Sequence, residues 1–463
     1  MLQSRKRWEE RMVDLNGLME LQEYLKGRSN CACGSVHRTD LMELEIGSGA
    51  IKRLPGILKK YDYKKLLVVA DRNTWEAAGS CTVSVLEAAG FPVDTFVYQD
   101  TALVPEERAI GRLTVAADPG FDAVIGVGSG TLNDLCKYIS YKMGLDYFVV
   151  GSAPSMDGFS SNVAAMITNQ LKTTYEVHTP KGVIGDVDVL RNAPMPMIAA
   201  GVGDILGKYV CLTDWKISHL VQGEYYCGYV EDMVQNSIRV IMENADLVSA
   251  RDPKAVEAVM NGLTLSGIAI SYVGNSRPAS GSEHHLSHYW EMMFLFQNRP
   301  AVLHGTKVGI GTISALKLYE MLADTPIDFE RARAKARAFD LEKWKEEIRK
   351  AYGPAAKEVV RLEERVHKND PQAVLGRIDQ MEAHWDEVLT FIRRLPKSEE
   401  ISSVLKGIGA PVTPAEIGVD AAMVKNSVLY AKELRNRFGL LQILFDLGVN
   451  EEFAGRLTAG FGM

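Results

Sequence analysis

The chain of 463 residues is long enough for two or three domains, and its 46% hydrophobic and 24% charged residues are typical of a globular protein with a large core. Its net charge of −7 argues against a nucleic-acid-binding protein, which usually needs a basic face. No apolar run approaches the roughly 18 residues of a membrane span, and the opening segment MLQSRKRWEERMVDL lacks the apolar stretch of a secretory signal. Six cysteines are too sparse for a disulfide scaffold, so we expect a soluble enzyme of the reducing cytoplasm.

Short apolar runs alternate with helical patterns after an amino-terminal extension of about 40 residues. Each run is almost continuously apolar, which is typical of a strand covered on both faces. The predicted strands are Leu66–Ala70, Val93–Tyr98, Ala123–Val127 and Tyr147–Val150, and the predicted helices between them are Thr74–Ala89, Pro105–Ala117 and Thr131–Met143. This strand–helix–strand repetition predicts a parallel, doubly wound sheet.

The character of the sequence changes near residue 193. A last β-like segment, Gly182–Leu190, precedes Pro194, and helical patterns then dominate, among them Ala255–Val273, Ser282–Gln297 and Gly305–Ala323. The charge-rich stretch from 328 to 395 is typical of solvated helix faces. We therefore expect an extension at 1–40, an α/β domain at 41–193 and an all-α domain at 194–463.

A glycine-rich segment, GVGSGTLND (126–134), joins the third predicted strand to a helix. Its glycines let backbone amides approach a ligand, and the helix amino terminus adds a partial positive charge. Together these features favour the pyrophosphate of a dinucleotide. The spacing is not the standard GxGxxG pattern, so a tight strand-to-helix turn that binds nothing stays open as the alternative.

Asp71 ends the first predicted strand, where its carboxylate could accept hydrogen bonds from an adenosine ribose. The alternative is a helix-capping acid ahead of Thr74. An acid here would repel the 2′-phosphate of NADP, but the neighbouring Arg72 could offset that repulsion. Both NAD(H) and NADP(H) therefore stay open as cofactors.

Residues suited to binding a metal gather in the second half. Four of the nine histidines fall between residues 284 and 304, and His284 and His288 share one helix face because they are four residues apart. Asp204 with two of these imidazoles would leave open positions on a divalent ion that polarises a substrate oxygen. Taken alone, Asp204 between its glycines fits a helix N-cap better than a metal ligand.

Five segments carry a resemblance to a known superfamily: GSGTLND (128–134), SAPSMDGFSSN (152–162), GVGDILGK (201–208), NSRPASGSEHHLSH (275–288) and LHGTKVG (303–309). They resemble the superfamily of glycerol dehydrogenase, iron-containing alcohol dehydrogenases and 3-dehydroquinate synthase, and within it the bacterial sn-glycerol-1-phosphate dehydrogenases. The resemblance implies a dehydroquinate synthase-like fold, with a nucleotide-binding α/β domain followed by a helical metal- and substrate-binding domain. It also implies reversible NAD(P)H-linked reduction of dihydroxyacetone phosphate by a homodimer with no nucleic-acid or membrane partner.

The resemblance also implies the roles of individual residues. Asp204, His284 and His304 are the expected ligands of one zinc, nickel or iron ion, since carboxylate and imidazole suit all three metals. Asp157 is expected to contact the substrate polyol, whereas taken alone it fits a loop aspartate ahead of Gly158 better. The implied nucleotide contacts are Asp71, Gly128, Gly130, Thr131, Leu132, Asn133, Asp134, Ser152, Ala153, Pro154, Ser155 and Ser161.

Two further comparisons concern particular segments. The synthase branch resembles the chain less, because it carries glutamate where Asp204 stands and a QVDSSVGGK-like segment where this chain has SMDGFSSN (155–162). Cys31, Cys33 and His37 of the extension are one ligand short of a structural zinc site, and we interpret them as a surface segment. The other four cysteines are interpreted as small buried hydrophobic residues: Cys81, Cys136, Cys211 and Cys227.

The implied chemistry leaves several choices open. The proton could come from water or from His288. A phosphorylated triose needs a cation near the metal, for which Arg277 offers a bidentate fork, with Lys208 and Lys307 as alternative candidates. The alternative interpretation of Arg277, in the turn-like segment NSRP, is an exposed loop arginine that faces water. A dehydrogenase of another small polyol such as glycerol, or an inactive nucleotide-binding member, is the alternative function.

Overall fold

The computed structural model describes residues 21–100, 102–168 and 171–463. The chain forms two compact units. The first contains the described residues up to Ile205 with Tyr229–Ser276 and Gly407–Gly409, and the second contains Leu206–Gly228, Arg277–Lys406 and Ala410–Met463. Half of the predicted extension, including the segment examined for a secretory signal, lies in residues 1–20 and so outside the described part.

A six-stranded parallel sheet forms the core of the first unit. Its strands are β1 (Glu43–Gly47), β2 (Leu66–Asp71), β3 (Val93–Tyr98), β4 (Ala123–Gly128), β5 (Asp146–Gly151) and β8 (Gly182–Asp186). They lie in the order β1-β8-β5-β4-β2-β3, and all neighbouring pairs are parallel. The four predicted strands are present as β2 to β5. The expected burial on both faces is confirmed for β2, β4 and β5, which are buried almost throughout. It is wrong for β3, which lies at the edge of the sheet and is mostly half-buried or exposed.

Three strands were not predicted from the sequence, and a fourth was predicted too long. The strand β1 was not predicted, nor was the antiparallel hairpin of β6 (Val163–Thr168) and β7 (Leu171–Glu176), whose polar LKTTYE segment lacks an apolar run. The predicted segment Gly182–Leu190 is too long, because β8 ends at Asp186 and a helix, Val187–Leu190, follows. The Asp186 carboxylate caps that helix by accepting from the Asp188 amide at 3.1 Å.

Helices alternate with the strands along the chain in the first unit, and the second unit is built from helices. The α-helices wholly or mainly in the first unit are Gln22–Leu25, Ala50–Leu58, Arg72–Thr74, Ser80–Ala88, Glu107–Ala116, Gly130–Met143, Val187–Leu190, Met195–Leu206, Gly228–Glu243, Ala245–Ser249 and Pro253–Val273. Those of the second unit are Lys208–Gln222, Ser282–Phe296, His304–Asp324, Phe329–Arg337, Leu341–Tyr352, Ala356–Val366, Pro371–Ala383, Trp385–Arg393, Ser398–Gly407, Ala421–Tyr430, Leu440–Asp446 and Asn450–Gly460. Shorter turns of other helix types are Lys59–Tyr61, Trp75–Gly79, Asp157–Ser160, Gly353–Ala355, Pro414–Ile417 and Ala431–Leu434. The expected class, a parallel α/β part followed by a helical part, is confirmed.

Two apolar helical segments reach the length of a membrane span, contrary to the expectation from the sequence. They are Met195–Gln222 and Pro253–Val273, and 78% and 83% of their most apolar windows are buried inside the structure. Such burial is typical of core helices, so length and composition here are weak evidence for a membrane segment.

The burial of cysteines corrects one prediction and qualifies another. Cys136, Cys211 and Cys227 are buried as predicted, but Cys81 is exposed, because it lies on the face of helix Ser80–Ala88 opposite the buried Leu86. The segment at Cys31 and Cys33 is not simply a surface loop either. Both cysteines are half-buried, and His37, which was grouped with them, is fully buried.

Candidate active site

The glycine-rich turn lies directly after β4. Gly128 ends the strand and the helix Gly130–Met143 begins two residues later. A Cβ atom on Gly128 would stand 2.5 Å from the Leu132 side chain, so only glycine fits where the helix turns back on the strand. The first amides of this helix, including those of Thr131 and Leu132, are therefore presented at the carboxyl end of the sheet, where an anion can accept from them.

A second predicted nucleotide segment lies beside this turn. Ser152–Ser155 follows β5, the neighbour of β4, and the Ser152 amide donates to the Gly128 carbonyl at 3.0 Å. The hydroxyls of Ser129 and Ser155 are hydrogen-bonded to each other. The structure thus brings together two segments that the sequence assigned separately to the nucleotide, at the edge where ligands of parallel sheets bind.

Lys137 is a residue of this region that the sequence analysis missed. It is fully buried, and its ammonium donates to the carbonyl oxygens of Gly158 at 2.8 Å and Val163 at 3.1 Å and to the Ser161 hydroxyl at 3.3 Å. Burial lowers the pKa of Lys137 to about 8, and nearby Asp134 and Asp157 act in the opposite direction. The available signal was that Lys137 lies among the apolar residues Leu135, Cys136 and Ile139. Its contacts hold the turn that begins at Asp157.

Asn133 and Ser161, both predicted nucleotide contacts, also serve this turn. The Asn133 amide donates to the Gly158 carbonyl at 3.0 Å, and its oxygen accepts from the Tyr147 hydroxyl at 3.1 Å. The Ser161 hydroxyl donates to the Gly158 carbonyl at 3.1 Å. These side chains therefore position backbone around Gly158.

Asp71 occupies the capping position that was its alternative interpretation. Its Oδ1 accepts from the Thr74 amide at 2.8 Å, and the Asp71 amide donates to the Thr74 hydroxyl at 3.0 Å. This reciprocal pair is a capping box at the start of the helix Arg72–Thr74. The cap engages Oδ1, and a carboxylate has a second oxygen with which to accept from a ribose.

Asp204 is a buried carboxylate inside a helix, so the N-cap alternative is wrong. The helix runs from Met195 to Leu206 and places Asp204 in its last turn, fully buried. Its Oδ2 accepts from the backbone amide of Asp157 at 3.0 Å. Two residues that the family resemblance assigns to metal and substrate are thereby joined.

Close packing fixes the position of this helix. A Cβ atom on Gly201 would stand 2.0 Å from the Pro154 carbonyl oxygen, which is backbone and cannot swing away. The glycine therefore allows the helix that carries Asp204 to lie directly on the Ser152–Ser155 segment. In the first unit, the predicted nucleotide and metal residues share one packed region.

Three histidines cluster in the second unit. The ring centroids lie 5.2 Å apart for His284 and His304, 5.8 Å for His284 and His288, and 5.9 Å for His288 and His304. His284 and His288 come from the helix Ser282–Phe296, and His304 opens the next long helix. Donor atoms of His288, His304 and Glu291 lie within 4.8 Å of one another. The clustering predicted from the sequence is thus present.

Glu283 orients His284, a role that the sequence did not reveal. The His284 Nδ1–H donates to Glu283 Oε1 at 2.6 Å, which leaves Nε2 as the nitrogen with a lone pair for a metal. Glu283 is fully buried, and the same oxygen accepts from the Gly281 amide at 2.8 Å. A carboxylate behind a histidine in this manner is a common feature of metal sites.

The neighbouring His285 lies in a different environment. Burial holds the pKa of His285 well below its ordinary value, and Arg437 and Lys368 act in the same direction. The imidazole is therefore neutral and surrounded by cations, which disfavours a further positive ion. This contrast supports the choice of His284 over His285.

Gly311 and Asp214 allow the two helices that carry the histidines, Ser282–Phe296 and His304–Asp324, to pack together. A Cβ atom on Gly311 would stand 2.4 Å from the Glu283 carbonyl oxygen, so glycine permits the close approach of helix His304–Asp324. The buried Asp214 accepts from the amide and hydroxyl of Ser282, both at 2.7 Å, and from the Tyr319 hydroxyl at 2.5 Å. It also accepts from the Leu440 amide at 2.9 Å. Burial and nearby Glu283 raise the pKa of Asp214, which these donors partly offset.

All three candidate phosphate-binding cations are buried in the second unit. The Arg277 guanidinium is paired with Glu224, at 2.8 Å from Nε and 2.5 Å from Nη2, so the exposed-loop alternative for Arg277 is wrong. The Lys208 ammonium donates to the carbonyl oxygen of Ala279 at 3.0 Å, two residues beyond Arg277. Lys307 lies 3.2 Å from Glu291 Oε1. Lys208 and Arg277 therefore meet the same short segment.

Comparison with known proteins extends these observations. The family model of iron-containing alcohol dehydrogenases matches residues 45–194. The solved glycerol dehydrogenase of Schizosaccharomyces pombe is similar in fold, with a TM-score of 0.60 and 17% identity over 91% of this chain and 92% of that one. The residues that match the family model include the whole parallel sheet except the first two residues of β1.

Bacterial relatives are similar over nearly the whole chain. The glycerol-1-phosphate dehydrogenase (NAD(P)+) of Halalkalibacterium halodurans is 32% identical over 428 residues, 92% of this chain and 97% of the relative. That of Geobacillus thermodenitrificans is 32% identical over 419 residues, 89% of this chain and 95% of the relative. These similarities imply a nicotinamide nucleotide and a divalent metal as cofactors. The chain belongs to the glycerol-1-phosphate dehydrogenase family of NAD(P)-dependent oxidoreductases.

Proposed function

We propose that this protein reversibly reduces dihydroxyacetone phosphate to sn-glycerol 1-phosphate with NADH or NADPH. The observation that carries the proposal is the 32% identity to a glycerol-1-phosphate dehydrogenase across 92% of this chain. In this proposal, the predicted domain at 41–193 binds the nucleotide, and the predicted domain at 194–463 binds the metal and the substrate.

The nucleotide pyrophosphate lies, in this proposal, against the turn that opens helix Gly130–Met143 and against Ser152–Ser155. Their neighbouring positions after β4 and β5 support this, since helix amides donate to an anion there. The nicotinamide supplies the hydride, and the protein supplies its orientation. Asp71 accepts from the ribose through the oxygen that its cap does not engage.

Asp204, His284 and His304 are the proposed ligands of the metal. The residues fit such an ion: Asp204 is a buried carboxylate, and the His284 and His304 rings lie 5.2 Å apart with His284 oriented by Glu283. A divalent ion held by these residues would supply Lewis-acid polarisation of the substrate carbonyl and stabilise the charge that develops on its oxygen. Zinc, nickel and iron all suit these ligands.

Asp157 and the buried cations hold the substrate in this proposal. Asp157 contacts a polyol hydroxyl while its backbone amide is fixed by the Asp204 carboxylate at 3.0 Å. The phosphate meets the segment shared by Arg277 and Lys208. Arg277 is tested first, because its guanidinium can divide its donors between Glu224 and a phosphate. Lys208 and Lys307 are the next candidates.

His288 is the proposed proton donor to the product alkoxide, with water as the alternative. Its ring lies 5.8 Å from that of His284 and 5.9 Å from that of His304, and it is partly exposed, so it can regain a proton from solvent. The active form is proposed to be a cytoplasmic homodimer that acts on a phosphorylated triose, without a nucleic-acid or membrane partner.

The test is NAD(P)H oxidation by the metal-loaded enzyme with dihydroxyacetone phosphate and, in parallel, with unphosphorylated dihydroxyacetone. We expect turnover of the phosphorylated ketone at far lower KM, and loss of activity in His304→Ala with the fold retained. Arg277→Ala should raise KM for dihydroxyacetone phosphate much more than for dihydroxyacetone. Arg299→Ala is the matched control, since Arg299 stacks on Phe294 at the surface.

The possible outcomes separate the alternatives. Preference for the unphosphorylated substrate would assign the enzyme to another small polyol. The absence of turnover with any such substrate, despite nucleotide binding, would indicate an inactive binding protein. If Arg277→Ala affects both substrates equally, the phosphate is held elsewhere and Lys208 or Lys307 is tested.

A further inference from the structure

A second cluster of metal-binding side chains lies in the amino-terminal segment of the first unit. Arg28 and His37 exchange two backbone hydrogen bonds of 2.9 Å, and the Gly34 amide donates to the Cys31 carbonyl at 2.9 Å. This tight loop, in which Gly34 adopts a φ of +79°, gathers Cys31, Cys33 and His37. One donor atom from each lies within 4.8 Å of the others.

The spacing of these atoms matches a zinc site. Cys33 Sγ and His37 Nε2 are 3.4 Å apart. Zinc bonds of about 2.3 Å to sulfur and about 2.0–2.1 Å to nitrogen, at tetrahedral angles, place the two ligands about 3.5 Å apart. A thiol–imidazole hydrogen bond alone would account for this one contact but would not require Cys31 beside it.

His37 is already oriented as a metal ligand. Its Nδ1–H donates to the Tyr272 carbonyl at 3.0 Å, so Nε2, which lies next to Cys33, carries the lone pair. The ring is fully buried and stacked on Tyr272 at 5.3 Å. A carbonyl behind a histidine fixes the tautomer in the same way at many metal sites.

A further cysteine, distant in sequence, is a candidate for the fourth ligand because it lies close along the chain to a residue that packs on this loop. Tyr229 packs on the same loop: the Arg28 guanidinium lies 4.2 Å from its ring centroid, and the His37 ring lies 6.2 Å away. Cys227 is buried and precedes Tyr229 by two residues, which span at most about 7 Å of chain. It also directly precedes the helix Gly228–Glu243, whose amino terminus favours a thiolate.

We propose that Cys31, Cys33, His37 and Cys227 bind one zinc ion that has a structural role. Three thiolates and one imidazole fill the tetrahedral positions of zinc and leave none for a substrate. The ion would tie the loop to Cys227 and, through His37, to the carboxyl end of helix Pro253–Val273 at Tyr272. The loop has little apolar burial of its own, since Val36 is 51% exposed, so the metal replaces a hydrophobic core there. This site is separate from the proposed catalytic metal.

The first test measures zinc per chain in the full-length protein by elemental mass spectrometry. Cys33→Ser and Cys227→Ser should each lose one equivalent of zinc relative to wild type. Cys81→Ser is the matched control, because Cys81 is an exposed cysteine outside the cluster, and it should lose none. Zinc content in Cys33→Ser and Cys227→Ser equal to wild type would overturn the proposal.

A second measurement is made on the wild-type protein, so poor folding of the cysteine variants does not affect it. Wild-type protein purified with cobalt in place of zinc should show thiolate-to-cobalt charge-transfer absorption in the near ultraviolet. The proposed catalytic ligands contain no sulfur, so this absorption should persist in His304→Ala and should disappear only when the cysteine cluster is altered. Absence of the absorption in the wild type, or recovery of Cys31 and Cys33 as a disulfide, would overturn the site whether or not the enzyme is active.

Discussion

Replacing Glu283 by glutamine tests whether the carboxylate behind His284 strengthens the metal site. Glu283 Oε1 accepts from His284 Nδ1–H at 2.6 Å and from the Gly281 amide at 2.8 Å, in a fully buried position. The glutamine oxygen can accept from both donors, so the substitution removes the negative charge and keeps the geometry. Loss of a partner of this kind weakens metal affinity about 10- to 100-fold, which corresponds to about 1.4–2.7 kcal/mol. We therefore expect Glu283→Gln to bind the metal more weakly by this amount.

The assay measures metal affinity directly. The enzyme is stripped with a chelator and titrated with zinc or nickel against a chromophoric competitor, and NAD(P)H oxidation is followed on the same samples. Glu320→Gln is the matched control, since Glu320 lies in the same unit and accepts from Ser398 at 2.7 and 3.0 Å. Affinity of Glu283→Gln equal to that of the control would refute the argument that Glu283 supports the metal through His284.

Three further predictions concern the cofactor, the helix packing and the buried lysine. Asp71→Ala should weaken NADH binding by about 1.5–3 kcal/mol for each lost charge-assisted hydrogen bond, and it should weaken NADPH binding less. Thr74→Val, which removes the other half of the capping box, should lower only the stability of the protein. Equal losses of affinity for both cofactors in Asp71→Ala would limit Asp71 to capping. Gly311→Ala should lower stability by about 1–3 kcal/mol and weaken metal binding, because its Cβ atom would stand 2.4 Å from the Glu283 carbonyl oxygen. Gly455→Ala is the control: its Cβ atom would meet no neighbouring atom, so both stability and metal binding should be unchanged. Burial lowers the pKa of Lys137 from 10.5 to about 8, so between these pH values the unfolded chain binds a proton that the folded chain does not. The free energy of unfolding of the wild type, relative to that of Lys137→Met, should therefore rise by about 3 kcal/mol between pH 8 and 10.5. A difference between the two proteins that does not change with pH in denaturant titrations would contradict this.

Elements with a strong local pattern could be predicted from the sequence. The strands β2, β4 and β5 are buried on both faces, and their apolar runs required no tertiary information. The hairpin of β6 and β7 was missed because its stability depends on strand pairing, which a polar segment such as LKTTYE does not reveal. Similarly, the helical position of Asp204 was hidden by its flanking glycines, one of which, Gly201, serves close packing on Pro154.

The residues of the candidate site were likewise predictable from the sequence only in part. Chemical type and spacing indicated a metal site in the second half of the chain, because metal ligands belong to few residue types. The family resemblance then singled out Asp204, His284 and His304, which stay predicted ligands. The supporting residues were beyond the sequence: Lys137 and Glu283 act through partners that only the folded chain brings near, and Cys227 stands almost 200 residues from Cys33. A single charged residue in an apolar pattern signals burial but does not identify its partner.

The hydrogen bonds of Asp214 have a consequence for the order of events during biosynthesis. Asp214 holds the start of the histidine helix at Ser282 and, at the same time, the amide of Leu440 at 2.9 Å. Leu440 follows Ser282 by 158 residues along the chain. Asp214 therefore obtains its full set of donors only after both of these distant segments have been synthesised and packed against each other. The start of the histidine helix accordingly reaches its final hydrogen-bonded form only after residue 440 has emerged from the ribosome.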